Sequence, residues 1–415
     1  MSTSLGNIRI DGDRLWQTLM DSAKIGPGRA GGLRRLALDD ADKEMRDLFV
    51  AWCEAAGCTV SVDGMGNIFA HRAGRDDTLP PVMIGSHLDT QVAGGRFDGI
   101  LGVLGGLEVV RTLNDHGITT KRPIEVVNWT NEEGARFRPP MIASAVFAGV
   151  RELDWALART DDDGYVYGEE LARIGYAGAT PMGGRDIDSY FELHIEQGPE
   201  LEARNLPLGI VTGAYQVIGM NVDFHGETAH SGPTAMARRR NALVGAAMLI
   251  VKVNEVGWKY ADIDGKATAS RIDCWPNQLG ILPDYAQVTI DFRTPDKAKT
   301  EAMAAEVEAA FDQIVERARV EVEVVERWTF GNEVFDADCI GLIKRAADEL
   351  GVGYIEMLSQ AGHDAYNMAK IVPTALIFSP CEDGISHNEA ENIEPGYTFP
   401  SVNVLLHSAV ARANR

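Results

Sequence analysis

GSHLDTQVAGGRFDGILGVLGG, residues 85–106, decides how this chain is read. The apolar run Val82-Met83-Ile84 feeds into it and an apolar-periodic segment, residues 100–113, leaves it, which predicts strand, glycine-rich loop, helix. That order puts His87 and Asp98 on the rim of a parallel sheet, where α/β proteins place their sites. The glycines do not fall as GxGxxG in the strand-to-helix turn and no GK[ST] follows, so neither the dinucleotide nor the P-loop reading fits. A metal fits better. His87 offers an imidazole nitrogen, Asp98 a carboxylate, and Asp89, two positions beyond His87, is placed to hold that ring's other N–H. Such a cluster needs further ligands from elsewhere in the chain.

A second short apolar strand, residues 124–129, runs into TNEEG at 130–134. Its Glu132 and Glu133 thus sit at another strand end, and a carboxylate that ligates a cation beside one free to carry protons is what a hydrolytic metal site requires. A third strand, 189–194, ends on His194 and turns at Gln197-Gly198-Pro199. Helices are predicted over 11–25 and 40–56, and a hairpin over 59–71. From residue 209 the pattern becomes strand 209–224, helix 238–256, strands 267–274 and 287–294, helix 297–319 and strand 320–327. This is the β-α-β-β-α-β order of a ferredoxin-like split unit. It reads as an inserted domain, 212–329, dividing a main domain into 1–211 and 330–415, with the two connections as a hinge. The main domain resumes with a helix at 337–350, the turn AGHD at 361–364, a strand at 374–378 and the loop CEDGISHNEAE, which holds His387.

Composition narrows the function. A formal charge of −22 over 415 residues argues against nucleic acid or an anionic membrane surface as a partner, since either needs a basic face. No leader-like apolar region opens the chain and no apolar run approaches the roughly 18 residues of a membrane span, so a cytoplasmic protein is expected. Five cysteines without a CxxC pair read as buried free thiols.

With these residues in view the chain resembles the M20 metallopeptidase superfamily, and within it the amidase branch of N-carbamoyl-L-amino acid amidohydrolase, β-ureidopropionase and allantoate amidohydrolase. The likeness rests on GSHLDT (85–90), GGRFDGILGVLGGLE (94–108), TNEEGARF (130–137), HIEQGPELE (194–202), GETAHSGPT (226–234), AGHDA (361–365) and GISHNEAE (384–391). HIEQGP, with His194 where ordinary M20 peptidases carry an acidic ligand, points to the carbamoyl-amidohydrolase branch. The resemblance implies an α/β fold: a phosphorylase/hydrolase-like metal-binding catalytic domain carrying a ferredoxin-like lid and dimerisation domain. It implies two divalent ions per subunit, Zn²⁺ or Mn²⁺, Co²⁺ or Ni²⁺, with Asp98 bridging, His87 and His194 completing one site and Glu133 and His387 the other. Glu132 would be the general base and Asp89 would orient His87. His230 would reach across a homodimer interface to polarise the scissile carbonyl, and Gln197, Asn277, Arg293 and Gly362 would contact the substrate. Arg293, in the mostly apolar strand VTIDFRT, would be an unpaired cation unless it met an anion, and a substrate carboxylate supplies one. The implied reaction is hydrolysis of an N-carbamoyl amino acid to amino acid, CO₂ and ammonia. Allantoate or ureidoglycolate hydrolysis is the alternative; an M20 aminoacylase or peptidase and a non-catalytic small-molecule binder stand behind it.

Overall fold

The computed structural model describes residues 5–415, which divide into two compact units: the chain up to Thr212 together with Val334–Arg415, and Gly213–Glu333. In chain order the first unit supplies strands β1 (Thr59–Val62), β2 (Ile68–Arg72), β3 (Val82–His87), β4 (Ile124–Trp129), β5 (Ser189–Ile195) and most of β6 (Leu208–Ala214), whose last two residues fall in the second. The second supplies β7 (Gln216–His225), β8 (Lys266–Trp275), β9 (Tyr285–Thr294) and β10 (Glu321–Gly331), and the first resumes with β11 (Tyr354–Ser359) and β12 (Thr374–Ser379).

The eight-stranded sheet runs β1-β2-β4-β3-β5-β12-β6-β11. It is mixed rather than purely parallel. Strands β4, β3, β5 and β12 are mutually parallel, while β2 pairs with β4, and β6 with β12, antiparallel. Every residue of β3, β4, β5 and β12 is buried, which explains their near-continuous apolar runs: such strands are covered on both faces. Helices Ile100–Asp115 and Pro395–Ala413 pack on each other and on β3 and β5. Pro395 opens the latter helix at a first-turn position, where its missing N–H costs nothing. The carboxyl ends of β3, β4 and β5 carry His87, the run into Glu132, and His194, so the parallel core brings three loops to one rim.

In the second unit the sheet order is β10-β7-β9-β8, antiparallel throughout, with helices Ala242–Lys259 and Lys297–Glu308 closing one face. Met220, Val222 and Phe224 of β7 and Val288, Ile290 and Phe292 of β9 form its core with Leu249, Val253 and Met303 of those helices. Several boundaries differ from expectation. The segment 209–224 is two strands in two sheets, separated at Tyr215. The first helix starts at Ala242, where Asn241 caps it by accepting from the N–H of Leu243, and Met236–Arg238 is a 3₁₀ turn. Residues 297–319 are two helices, Lys297–Glu308 and Phe311–Ala318. Position 329 falls inside β10. Among the described residues no helix is long and apolar enough to cross a membrane. All five cysteines are free and four are buried.

Candidate metal centre

Three loops and one long-range segment build the centre in the first unit. His87, the last residue of β3, donates from Nδ1 to the main-chain oxygen of Asp89 at 2.9 Å, and His194 donates from Nδ1 to that of Ile195 at 2.9 Å. With Nδ1 of each ring so engaged, it is Nε2 that faces the cluster. Asp98 meets both: Oδ1 lies 3.7 Å from His87 Nε2 and 3.0 Å from His194 Nε2. Its other oxygen, Oδ2, lies 3.5 Å from His387 Nε2, which is itself 3.3 Å from Glu133 Oε2. His87, Asp98 and His194, and likewise Asp98, Glu133 and His387, each offer ligand atoms within 4.8 Å of one another, and Asp98 is common to both groups. Gly99 makes this approach possible, because at φ +68° an added Cβ would fall 2.3 Å from the His87 ring.

These residues fit a divalent cation. The donors are imidazole nitrogens and carboxylate oxygens, with no thiolate, and His87 Nε2 is a buried nitrogen without a hydrogen-bond partner. Burial pushes Asp98 upward, but His194, by charge and hydrogen bond, outweighs it and holds the carboxyl well below its usual range. Burial alone would lower His194; Asp98 reverses this and raises it to about 9. Burial, then Asp98, push Glu133 well up.

Glu132 is buried, with Oε2 3.5 Å from His87 Nε2. Burial, then the charges of Asp364 and Glu133, push its carboxyl well above the ordinary range. The Asp89 carboxylate differs from expectation. It stands 3.9 Å from His87 Nδ1, whose proton goes to the Asp89 carbonyl instead, and it accepts the N–H groups of Glu132 at 3.2 Å and Glu133 at 3.3 Å. Asp89 thus orients His87 through its main chain and the glutamate loop through its side chain. Gln197, at φ +57°, donates from Nε2 to Asp98 Oδ2 at 2.8 Å, so it sits against the carboxylate common to both groups. Gly362 is half-buried on the turn before His363. His363, unassigned on sequence, lies beneath His194 with ring centroids 4.5 Å apart.

Sequence reasoning missed the supports of this cluster. Gln91 holds Glu133 through its N–H at 3.1 Å and its side-chain amide at 2.8 Å, and Ser386 Oγ lies 2.8 Å from Asp98 Oδ2. Glu391 accepts from the N–H groups of Phe97 and Asp98. The acidic SHNEAE run holds Ser386 and Glu391, but nothing local marks Gln91.

The remaining expected residues belong to the second unit. His230 is exposed, forms an isolated bridge with Ile281, and accepts the N–H of Gly232 on Nδ1 at 3.0 Å, which leaves its proton on Nε2. Asn277 is exposed in the loop after β8. Arg293 meets an anion on its own strand, where only a substrate carboxylate was expected to supply one. The apolar residues of β9 point into the core, whereas Arg293 shares the other face with Gln287, Thr289 and Asp291, and its Nε bonds Asp291 Oδ1 at 2.8 Å.

The family model described as peptidase family M20/M25/M40 matches residues 83–410. The chain is 46% identical over 407 residues to an N-carbamoyl-L-amino-acid amidohydrolase of Rhizobium meliloti, covering 98% of each. It is 30% identical to a ureidoglycolate hydrolase of Arabidopsis thaliana, over 96% of this chain and 86% of the relative. A crystal structure of an amidase of the hydantoinase/carbamoylase family from Burkholderia vietnamiensis superposes with a TM-score of 0.95 at 49% identity, covering 99% of both chains.

Proposed function

Because the chain belongs to peptidase family M20/M25/M40, we propose that it hydrolyses the carbamoyl C–N bond of N-carbamoyl-L-amino acids, releasing the amino acid, CO₂ and ammonia. The observation that carries this is the pair of ligand groups sharing Asp98, with Glu132 beside them, in a chain 46% identical along its length to a carbamoyl amidohydrolase. His87, Asp98 and His194 would hold one divalent ion and Asp98, Glu133 and His387 a second, Zn²⁺ or Mn²⁺, Co²⁺ or Ni²⁺. When bound, such ions acidify water and polarise a carbonyl oxygen.

The chain's own residues do the rest. Glu132 takes a proton from the attacking water at Oε2 and passes it to the departing nitrogen. Asp89 fixes the Glu132–Glu133 main chain so that this carboxyl does not wander. From the inserted unit, which serves as lid and dimerisation domain, His230 donates its Nε2 proton to the carbonyl oxygen as negative charge develops there. In a homodimer this ring comes from the partner subunit. Arg293 receives the substrate carboxylate as a bidentate partner, Asn277 and Gln197 bond the ureido group, and the Gly362 main chain lies against the ligand. Five free cysteines suit the cytoplasm.

Ureidoglycolate is the second reading, favoured by the 30% identical plant relative. The deciding experiment measures ammonia release from N-carbamoyl-L-methionine, N-carbamoyl-β-alanine, allantoate and ureidoglycolate after metal loading. Turnover of an N-carbamoyl-L-amino acid above the others is expected; a preference for ureidoglycolate transfers the assignment, and inactivity on all four with metal bound refutes it.

A further inference from the structure

The five expected ligands are not anchored alike. His87 and His194 sit on buried strands, and ladder hydrogen bonds to neighbours hold them. His387 stands in an irregular segment after β12, its side chain 51% exposed and its backbone left-handed at φ +52°. For a residue other than glycine that conformation persists only where neighbours enforce it. A buried anchor of that segment lies four residues on, at Glu391.

Glu391 is 1% exposed. Its Oε1 accepts the N–H of Phe97 at 3.0 Å and of Asp98 at 3.1 Å, and its Oε2 lies 3.2 Å from the Ser386 hydroxyl. That hydroxyl also reaches Asp98 Oδ2 at 2.8 Å. One carboxylate therefore ties the main chain of Asp98 to the residue immediately before His387, closing residues 386–391 into a loop against Asp98. The fit leaves no slack: a Cβ at Gly95 would lie 2.0 Å from the Glu391 carboxyl. No Lys, Arg or His pairs with this carboxylate among the described residues, so two main-chain N–H groups and a hydroxyl are its whole support.

We propose that Glu391 is a positioning residue for the second cation, setting the spacing of Asp98 and His387. The inference rests on the two-cation reading above. Without Glu391, His387 loses the contact that holds its loop while His87 and His194 keep theirs, so the cation of Asp98, Glu133 and His387 is released first. Glu389 provides the internal contrast. Its carboxylate accepts main-chain N–H groups of Arg29, Ala30 and Gly32, a loop that carries none of the five ligands.

The test is metal content and affinity of the full-length chain loaded with Mn²⁺, for wild type, Glu391→Ala, Glu391→Gln and Glu389→Ala. Wild type and Glu389→Ala are expected to hold two ions. Glu391→Ala is expected to hold one tightly and bind the second about 10- to 100-fold more weakly, as for other residues that orient metal ligands. Its kcat falls with the second ion while KM is unchanged. Glu391→Gln, whose amide oxygen still accepts from Asp98, should recover part of the affinity. Should Glu391→Ala fail to fold, Glu391→Gln decides alone: second-ion affinity equal to wild type overturns the proposal. Two tightly held ions in Glu391→Ala, or parallel loss of both, overturns it while sparing the two-cation reading. Fewer than two ions in wild type removes both.

Discussion

The two units present their chemistry in opposite ways. In the first, His87, Asp98, Glu132 and His194 are buried on the rim where the parallel strands end, the two imidazoles held by main-chain oxygens, Glu132 by the Asp89 carboxylate and Asp98 by that of Glu391. In the second, His230 and Asn277 are exposed, and Arg293, half-buried, bonds Asp291 on its own strand. A buried cluster must be built rigidly, because misplaced charges in low dielectric are expensive. Groups that recognise a diffusing substrate stay solvated until it comes. Variants in the first unit should therefore abolish chemistry, and those in the second should divide between turnover and affinity.

The largest loss is expected in Glu132→Gln, where kcat should fall about 10²–10⁴-fold with both ions retained, as for removal of a general acid–base group. Full activity in that variant would remove Glu132 from its role. His230→Asn should cost about 10²–10³-fold in kcat, the usual effect of losing one oxyanion donor. Mixing refolded His230→Asn with Glu132→Gln subunits sharpens the contrast. If the ring comes from the partner, the mixture regains activity that neither variant has; if no activity returns, His230 does not act across an interface. Arg293→Met should act mainly on affinity. A lost charged hydrogen bond of about 1.5–3 kcal/mol raises KM roughly 10- to 150-fold, and an unchanged KM would rule out the carboxylate role.

How much of this was readable depended on the range of the signal. The strand, glycine loop and helix over 82–113 were legible because apolar runs and glycines punctuate them locally, and so were Glu132 and Glu133 at the end of β4. Other features left no local mark. Nothing at Ala214-Tyr215 resembles a breaker, yet the chain changes sheets there. The break between Glu308 and Phe311 falls on two alanines, the best helix formers. Arg293 was misjudged by counting the composition of β9 rather than its alternation. Gln91, Ser386 and Glu391 act through contacts spanning 42, 288 and 293 positions, which no periodicity records.

The smallest expected effect lies away from both sites. His71 is raised above its ordinary value, chiefly by its hydrogen bond to Glu125, with Asp77 adding to it. A histidine raised on folding contributes stability that is fully present below the unfolded value of about 6.5 and is lost as pH climbs through the folded one. Thermal melts should thus show wild type losing stability as pH rises above that value, and His71→Gln showing a flatter profile. Equal slopes would remove the pair from the account.

The central claim is that five side chains from four separate segments hold two cations. Anomalous diffraction from crystals grown with Mn²⁺ tests it directly. Two peaks about 3.5–4 Å apart, with Asp98 between them, His87 and His194 on one and Glu133 and His387 on the other, are expected. A single peak, or peaks away from these residues, would contradict it.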